Sequence, residues 1–263
     1  MTPVFIQRVG ICAPGLADWP AARAVLTGAV PFSPDVTVQL DSTALPATER
    51  RRANLATRWA LHAAGEAVRG LPPATIAAMP TVFASADGDG DVLATVLCDL
   101  AAEKVALSPT TFHNSVYNAP AGYWSIAVRS PAASTTICAG AATFAAGLLE
   151  ACAQSSCGGD AVLLVAYDQP FPAAAPIRTR ARHAFACAWV LSSRADGALA
   201  RIRAADVADV RADATPADVR EAFAYNAAAA ALPLLTGLAR GASAVELPYV
   251  DGRALTLQVS ACG

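Results

Sequence analysis

The chain has 263 residues, 55% of them hydrophobic and 15% charged, with a formal net charge of −2. This length suits one large domain or two small ones, and the apolar share suits a buried α/β core. No long basic stripe occurs, so nucleic-acid binding, which needs several cations on one face, is not expected. No apolar run reaches the roughly 18 to 20 residues that span a bilayer, and the N-terminus lacks a secretory signal pattern. We therefore expect a cytoplasmic protein without a membrane span.

The cysteines and acidic residues predict no metal site and no cofactor. The seven cysteines include no CxxC pair, and the three histidines are scattered, whereas a zinc site needs clustered ligands at short spacings. The acidic loop at residues 87–91 has the composition of a calcium loop, but the EF-hand spacing would place Cys98 where a glutamate is needed. We predict instead a solvated loop that caps a helix, and reduced cysteines that pack as small core residues.

The N-terminal part of the chain predicts a strand and two helices. Val4–Cys12 has the pattern of a buried strand, and Asp18 is expected to cap a short helix after it. Residues 48–69 predict one long helix that starts at Thr48 and stops at the glycine and prolines of residues 70–73. Leu55 and Trp59 are expected to face the core from this helix.

The rest of the chain alternates strands with helices. Asp91 is expected to cap the helix at 92–103. The run DAVLLVAY is continuously apolar, which is typical of a strand buried inside a sheet, and Asp251-Gly252 predicts a hairpin. Strands are predicted at 81–86, 133–137, 160–167, 185–193, 199–207, 244–250 and 254–260, and further helices at 108–116, 120–128, 140–153 and 216–239, the last of which Pro233 could break.

This order of elements predicts an α/β layer arrangement with a mixed sheet. Neither an internal repeat nor a long linker interrupts the pattern. We therefore predict that residues 1–263 form a single domain.

Three stretches carry a family resemblance: SPTTFHNSVYNAPAGYWSIAV, STTICAGAATFAAGLLEA and AVLLVAYDQP, at residues 108–128, 134–151 and 161–170. In this order and spacing they resemble the N-terminal half of β-ketoacyl synthases, which belong to the thiolase superfamily. The likeness is greatest to the short β-ketoacyl synthase-like proteins of aryl polyene and xanthomonadin-type pigment clusters, which resemble chain length factors. It implies a thiolase-like layered α/β fold, with helices on a mixed five-stranded-type sheet, truncated relative to full ketosynthases.

Catalysis by condensation needs a cysteine thiolate that accepts an acyl group and two nitrogen donors that promote decarboxylation. Cys138 stands at the predicted strand-to-helix turn, where a helix N-terminus favours a thiolate. Counting back from Gly147, however, places the nucleophile position on Ala139, and both registers stay open. The resemblance implies that the turn and the adjoining tunnel are formed by Ile137, Ala139, Gly140 and Phe144.

The histidines do not follow the pattern of a working synthase. In synthases both catalytic histidines follow the nucleophile in sequence, whereas here His183 alone does so, without an HGTGT-like motif. His113 precedes the turn and is a candidate base, with a buried helix residue or a dimer contact as the alternatives. The second half of the duplicated fold is thus predicted to be reduced to one helix and a hairpin.

The resemblance also implies partners, namely a full-length ketosynthase subunit in a heterodimer and an acyl carrier protein. An apolar and aromatic segment suits an interface core, and the predicted contacts are Phe112, Asn114, Tyr117, Asn118, Tyr123 and Trp124. Two groups of arginines are predicted to receive an acidic carrier protein, although a solvated face explains them as well. They are Arg50, Arg51 and Arg52, and the arginines within 178–182.

Three functional hypotheses follow. The first is a non-catalytic partner that completes a ketosynthase dimer and helps to set the depth of its product tunnel. The second is an acyl-thioester transferase or hydrolase that uses Cys138 with His113 or His183 as base. The third is a homodimeric module that binds an acyl chain or a carrier protein. The missing second-half histidines favour the first.

Overall fold

The computed structural model describes residues 2–103, 108–158, 161–172, 181–209 and 213–262. Within these ranges the strands are β1 Val4–Cys12, β2 Thr81–Ala84, β3 Ser134–Ile137, β4 Val162–Asp168, β5 Phe185–Ser192, β6 Ala200–Asp209, β7 Ala244–Pro248 and β8 Arg253–Ala261. The helices are α1 Trp19–Leu26, α2 Ala47–Arg52, α3 Leu55–Ala67, α4 Pro73–Ala78, α5 Gly90–Ala101, α6 Pro109–Asn114, α7 Ala119–Val128, α8 Thr143–Gly158, α9 Ala217–Ala222 and α10 Leu232–Arg240. Short 3₁₀ turns occur at Gly140–Ala142, Ala228–Ala231 and Val250–Gly252.

All described strands join one mixed sheet in the order β3-β2-β4-β5-β1-β6-β8-β7. Strand β2 runs parallel to β3 and β4, and the other neighbouring pairs are antiparallel. The mixed α/β layer fold is therefore confirmed, but the sheet has eight strands rather than the five expected. The difference arises because β6 pairs with the start of β1, where Val4 lies opposite Ile202, and extends the sheet through the terminal hairpin.

Helices cover both faces of the central strands. Helix α8 packs Phe144 and Leu148 against one face, together with α10 and α1. Helix α3 packs Trp59 and its alanines against the other face, together with α7. Because β4 and β5 lie between these two layers, all of their residues are buried, as the apolar run in β4 predicts.

The α3 layer lies unusually close to the sheet because of Gly10 in β1. A Cβ atom at this position would overlap the carbonyl oxygen of Ala63 and lie 2.7 Å from the backbone nitrogen of Ala67. A residue without a side chain is therefore required where the backbones of the strand and the helix meet. The many alanines of α3 permit the same close approach along its length.

The long helix expected at 48–69 is two helices. Ala53 adopts an extended conformation between α2 and α3, and the Asn54 side chain caps α3 by accepting a hydrogen bond from the Thr57 backbone N–H at 2.8 Å. Thr48 is therefore not the N-cap, because α2 starts after Pro46. Trp59 faces the core as predicted, but Leu55 is exposed.

Other caps and breaks also differ from the prediction. Asp89, not Asp91, caps α5 by accepting from the Val92 N–H, whereas Asp18 caps α1 as predicted. The helix expected at 216–239 is divided into α9, a 3₁₀ turn and α10, and Pro233 lies in the first turn of α10, where proline is well tolerated. The terminal hairpin is confirmed, with Asp251 at φ +54° in its turn.

No helix within the described ranges is long and apolar enough to cross a membrane.

The close approach of β1 and α3 yields a stability prediction. Gly10→Ala should lower the free energy of unfolding by about 3 kcal/mol or more, because the new methyl group meets backbone that cannot move aside. Gly65→Ala is the matched control on α3, since a Cβ there meets nothing within 4 Å, and it should stabilise the chain by up to about 1 kcal/mol. Urea unfolding of both variants checks this, and equal effects would contradict the packing described.

Candidate functional site

The predicted strand–turn–helix is present at the sheet edge where the parallel strands end. Strand β3 ends at Ile137, a 3₁₀ turn follows, and α8 begins at Thr143. The Thr143 hydroxyl accepts from the Ala139 N–H at 2.9 Å and donates to the Gly140 carbonyl at 2.7 Å. Gly140 has φ +55°, a conformation that favours glycine. The residues between the strand and α8 are thus held in one tight turn.

Cys138 lies in this turn with its thiol exposed. Its Sγ donates to the Ala86 carbonyl oxygen at 3.4 Å, and the Tyr117 hydroxyl donates to the same oxygen at 3.0 Å. Burial, followed by the nearby Cys138 sulfur, raises the pKa of Tyr117. The polar groups beside the thiol are thus a carbonyl oxygen, which accepts its hydrogen, and a phenol whose hydroxyl donates to the same oxygen.

The turn leads directly into helical structure. A 3₁₀ turn begins at Gly140, two residues after Cys138, and continues into α8 at Thr143. In the alternative register the position belongs to Ala139, which carries only a methyl group.

Each histidine makes its contacts away from this thiol. The ring of His113 meets the ring of Tyr123 edge-on at 5.8 Å, and His113 is exposed rather than the buried helix residue considered above. The ring of His183 packs on Phe223 at 6.0 Å. His62 accepts at Nδ1 from the Asp41 N–H at 2.8 Å. The structure therefore does not bring a base to Cys138 among the contacts of the described residues.

The sequence interpretation missed Asp168, the buried acid at the end of β4. Its Oδ1 accepts from the Ser85 hydroxyl at 2.7 Å and from the backbone N–H groups of Ala86 and Asp87 at 3.0 Å each. Burial is the main cause that raises the pKa of Asp168 to about 7. The available signal was an aspartate at the end of a wholly apolar strand, a position where a charge is buried at high cost unless it is hydrogen-bonded.

Asn226 joins a distant loop to the same region. Its Nδ2 donates to the backbone carbonyls of Asp168 at 3.1 Å and His183 at 3.0 Å, and its Oδ1 accepts from the Ala228 N–H at 3.0 Å. The loop after α9 is thereby fixed beside the strand-to-helix turn. Asn226 had no sequence signal, because its partners lie 43 and 58 residues away.

A cavity of about 550 Å³ lies between this loop and the turn. One wall is formed by Ala86, Asp87, Gly140 and Ala141, and the other by residues 223–233, which include Phe223 and Leu232. Cys138 is not part of the lining. The cavity has room for an apolar group, but the thiol does not face it. Among the other residues expected at the turn or tunnel, Phe144 is fully buried in the core and Ile137 is half-buried.

The predicted interface residues divide into two groups. Asn114, Tyr123 and Trp124 are buried inside the chain, with 6%, 1% and 3% of their surface exposed, so a partner cannot pack on their side chains. Asn114 accepts from the Tyr123 hydroxyl at 3.1 Å and donates to the Arg52 carbonyl at 2.8 Å. The expectation that they form an interface core is corrected accordingly. Phe112, Tyr117 and Asn118 are exposed.

Large apolar side chains are exposed on the consecutive helices α5, α6 and α7 and the α6–α7 connection. We call them the α5–α7 apolar face, and they are Leu93, Leu100, Phe112, Val116, Tyr117 and Ile126. They make up half of the twelve exposed large hydrophobic residues of the described chain. An apolar concentration of this kind marks an interaction surface more often than scattered single residues do.

The first arginine group lies on α2, a helix with no buried residue. Arg51 and Arg52 are exposed, and Arg52 pairs with Glu49 at 3.3 Å. In the second arginine group Arg182 is exposed, whereas Arg178 and Arg180 lie outside the described residues. Contact of either group with a carrier protein stays a prediction.

The acidic loop is occupied by structural contacts. Asp89 caps α5, and Asp91 accepts from Gln169 at 3.2 Å. Within the described ranges, histidine, cysteine and acidic side chains form no group of three that could hold a metal ion.

One family model matches most of the chain. The model of the family described as beta-ketoacyl synthase, N-terminal domain, matches residues 22–248. No curated protein matches the chain.

Similar solved structures span nearly the whole chain. A chain from the complex of the ketosynthase ApeO with its chain length factor ApeC, from Xenorhabdus doucetiae, is 22% identical with a TM-score of 0.69, over 98% of this chain and 100% of that one. The ishigamide ketosynthase/chain length factor is 13% identical with a TM-score of 0.75, over 100% of both chains. A chain of the type II AntDE:AntF complex, an acyl-carrier protein with its ketosynthase bound to a hexaketide, is 12% identical with a TM-score of 0.71, over 99% of both chains. At these identities the likeness shows a shared fold.

The buried carboxyl of Asp168 predicts a pH dependence of stability. Because its pKa is raised, the folded chain holds a proton that the unfolded chain has released, so stability from this group is lost as pH rises from about 4 through 7. The free energy of unfolding of the natural chain should therefore fall by about 2–4 kcal/mol relative to Asp168→Asn over that range. Denaturant titrations across pH measure this, with the exposed Asp35→Asn as control. Parallel curves for the natural chain and Asp168→Asn would contradict the burial described.

Proposed function

The chain belongs to the beta-ketoacyl synthase, N-terminal domain, family, and we propose that within it this protein is a catalytically reduced, chain length factor-like subunit. It pairs with a full-length β-ketoacyl synthase and an acyl carrier protein in fatty acid or polyketide-type assembly, of the aryl polyene type. The partner subunit supplies the nucleophile and the bases. This chain supplies one side of the dimer and part of the tunnel wall.

The observation that carries the proposal is the environment of Cys138. The fold keeps the strand–turn–helix that carries the nucleophile in a synthase, while the Cys138 thiol donates to the Ala86 carbonyl and no contact of the described residues joins it to a histidine. A condensing enzyme needs both a thiolate and nitrogen donors at this point. A subunit with the shape of a synthase and without its reactive groups fits a partner role.

A second observation supports the choice of partner. The resemblance implies dimerisation across a sheet edge, and β3 is an edge strand whose neighbour on one side is β2. An edge strand presents unpaired backbone groups that a second sheet can satisfy. The α5–α7 apolar face supplies side chains of the kind found at interface cores. The similar structures include ketosynthases described together with a chain length factor.

A third observation supports a role in product length. Leu93, Val116 and Tyr117 belong to the α5–α7 apolar face and also border an internal cavity of about 90 Å³. A chain that crosses the interface from the partner's nucleophile would meet these side chains first. The Tyr117 hydroxyl is anchored on Ala86, so its ring forms a fixed end to such a path.

Two alternatives retain a specific observation each. The exposed thiol of Cys138 favours an acyl-thioester transferase or hydrolase that works with His113 or His183. The 550 Å³ cavity beside the turn favours a homodimeric module that holds an acyl chain without a covalent step. The first requires an acyl group on this chain, and the second requires a homodimer indifferent to any ketosynthase.

Co-expression with a tagged ketosynthase, followed by intact-mass analysis after addition of acyl-loaded carrier protein, tests the proposal. We expect this chain to co-elute with the synthase and the acyl mass to appear on the synthase alone. Cys138→Ala should leave both results unchanged. An acyl mass on this chain that Cys138→Ala abolishes would establish the enzyme alternative, and a homodimer that ignores the synthase would establish the binding module.

The surface assignment gives a separate prediction. Phe112→Asp should weaken association with the synthase at least tenfold, because it places a charge within a buried apolar contact. Its effect on the stability of the free chain should stay within about 0.5 kcal/mol, since Phe112 is 65% exposed. Leu199→Asp is the matched control, because Leu199 is 46% exposed and precedes β6, away from α5–α7. Equal loss of binding in both variants would refute the surface.

A further inference from the structure

Two cavities meet at the segment that follows β2. The cavity of about 90 Å³ borders the α5–α7 apolar face, and the cavity of about 550 Å³ lies between the turn before α8 and the loop after α9. Among the described residues, Asp87 lines both cavities and no other residue does so. A path from the partner surface would therefore reach the larger cavity at Asp87.

The backbone at this position is held on both sides. The Asp87 N–H donates to Asp168 Oδ1 at 3.0 Å, and the Gly88 N–H donates to the Ser85 hydroxyl oxygen at 2.9 Å. Gly88 has φ +64°, and the ring of Tyr117 lies 3.4 Å from the point where a Cβ of residue 88 would stand. Tyr117 thus covers Gly88, and the boundary with the larger cavity falls at Asp87.

The side chain of Asp87 is charged and half-buried. Burial raises the pKa of its carboxyl group, and no hydrogen bond within the described ranges offsets that effect. Because Asp87 is partly exposed, water solvates the carboxylate. An apolar chain that moved past Asp87 would displace this water, and a charge without water or a hydrogen-bond partner is costly. The carboxylate thus opposes the passage of an apolar chain.

The larger cavity has walls that suit an apolar chain. They include Phe223, Leu232 and Pro233, and the volume is about six times that of the smaller cavity. Besides Asp87, the charged side chains of the described lining are Asp213 and Arg220, which have opposite signs. A chain that entered this cavity could therefore grow by more extension units than the smaller cavity holds.

We propose that Asp87 is a specificity-determining residue for product length. Its carboxylate ends the path of an apolar acyl chain at the smaller cavity and keeps the chain out of the larger one. This inference rests on the proposed function, because it requires a partner synthase that delivers its chain to the α5–α7 apolar face. Asp87 acts through its charge and undergoes no covalent change.

Product lengths of the reconstituted complex test this assignment. This chain is co-purified with a tagged ketosynthase and supplied with malonyl-loaded carrier protein, and the carrier-bound products are sized by mass spectrometry. Asp87→Ala should raise the ratio of the next longer product to the main natural product about tenfold, because the chain no longer displaces water from a charge. Asp87→Asn, which is matched in size and neutral, should lengthen the products as well.

Asp91→Ala is the matched control, because Asp91 is exposed nearby in sequence and lines neither cavity. It should leave product lengths unchanged, and equal lengthening by this variant would overturn the assignment. If the natural chain does not co-elute with the synthase, the proposed function fails and the assignment fails with it. If it co-elutes and neither Asp87 variant lengthens the products, the assignment alone is overturned. Lengthening by Asp87→Ala without Asp87→Asn would overturn the role of the charge.

Discussion

One buried carboxyl group, that of Asp168, accepts hydrogen bonds from the turn at residues 85–87 and thereby positions the whole edge of the sheet. The Oδ1 of Asp168 accepts from Ser85, Ala86 and Asp87, and its Oδ2 also accepts from the Ala86 N–H. The turn that it holds presents the Ala86 carbonyl, which then receives the Cys138 thiol and the Tyr117 hydroxyl. Through these bonds the end of β4 sets the end of β2, the turn before α8 and the connection between α6 and α7. Asn226 brings the loop after α9 to the same carboxyl end through the Asp168 backbone.

This network holds the backbone at the ends of β2 and β4 in one arrangement. A charged group beside a thiol must be positive to favour the thiolate, and the network offers a carbonyl, a phenol and raised-pKa acids instead. Burial makes the Asp168 carboxyl group costly to ionise, so this group is poorly suited to assist catalysis by Cys138. It is a good support for a rigid surface, because three hydrogen bonds fix the backbone beneath Tyr117.

The sequence predicted local elements well and long-range contacts poorly. Val4–Cys12, the capping of α1 by Asp18 and the hairpin at Asp251-Gly252 follow from short patterns, and all are confirmed. The break between α2 and α3 was missed, because Asn54 lies inside an otherwise continuous helical pattern and acts as a cap only since Ala53 is extended. A residue that favours the N-cap position, such as Asn54, signals such a break when it stands inside a helical pattern.

The sequence predicted where the candidate site lies in the chain, but it did not predict which residues surround it. The strand–turn–helix around Cys138 was expected. Its surroundings depend on Ala86, which lies 52 residues before Cys138 and 31 residues before Tyr117 in sequence. The sequence also did not show which side of α7 faces the core, since this helix is apolar all round and has no clear hydrophobic face. Tyr123 and Trp124 were therefore expected at an interface, and they lie in the core.

The most direct test of the central claim is the rate at which iodoacetamide alkylates Cys138 at pH 7 in the complex with a ketosynthase. Cys98 and Cys157 are exposed thiols of the same chain and serve as internal references. The account predicts that Cys138 reacts no faster than these two and that an acyl thioester gives it no protection. Selective alkylation of Cys138 at least tenfold faster than both references, with protection by an acyl thioester, would show an activated nucleophile and contradict the account.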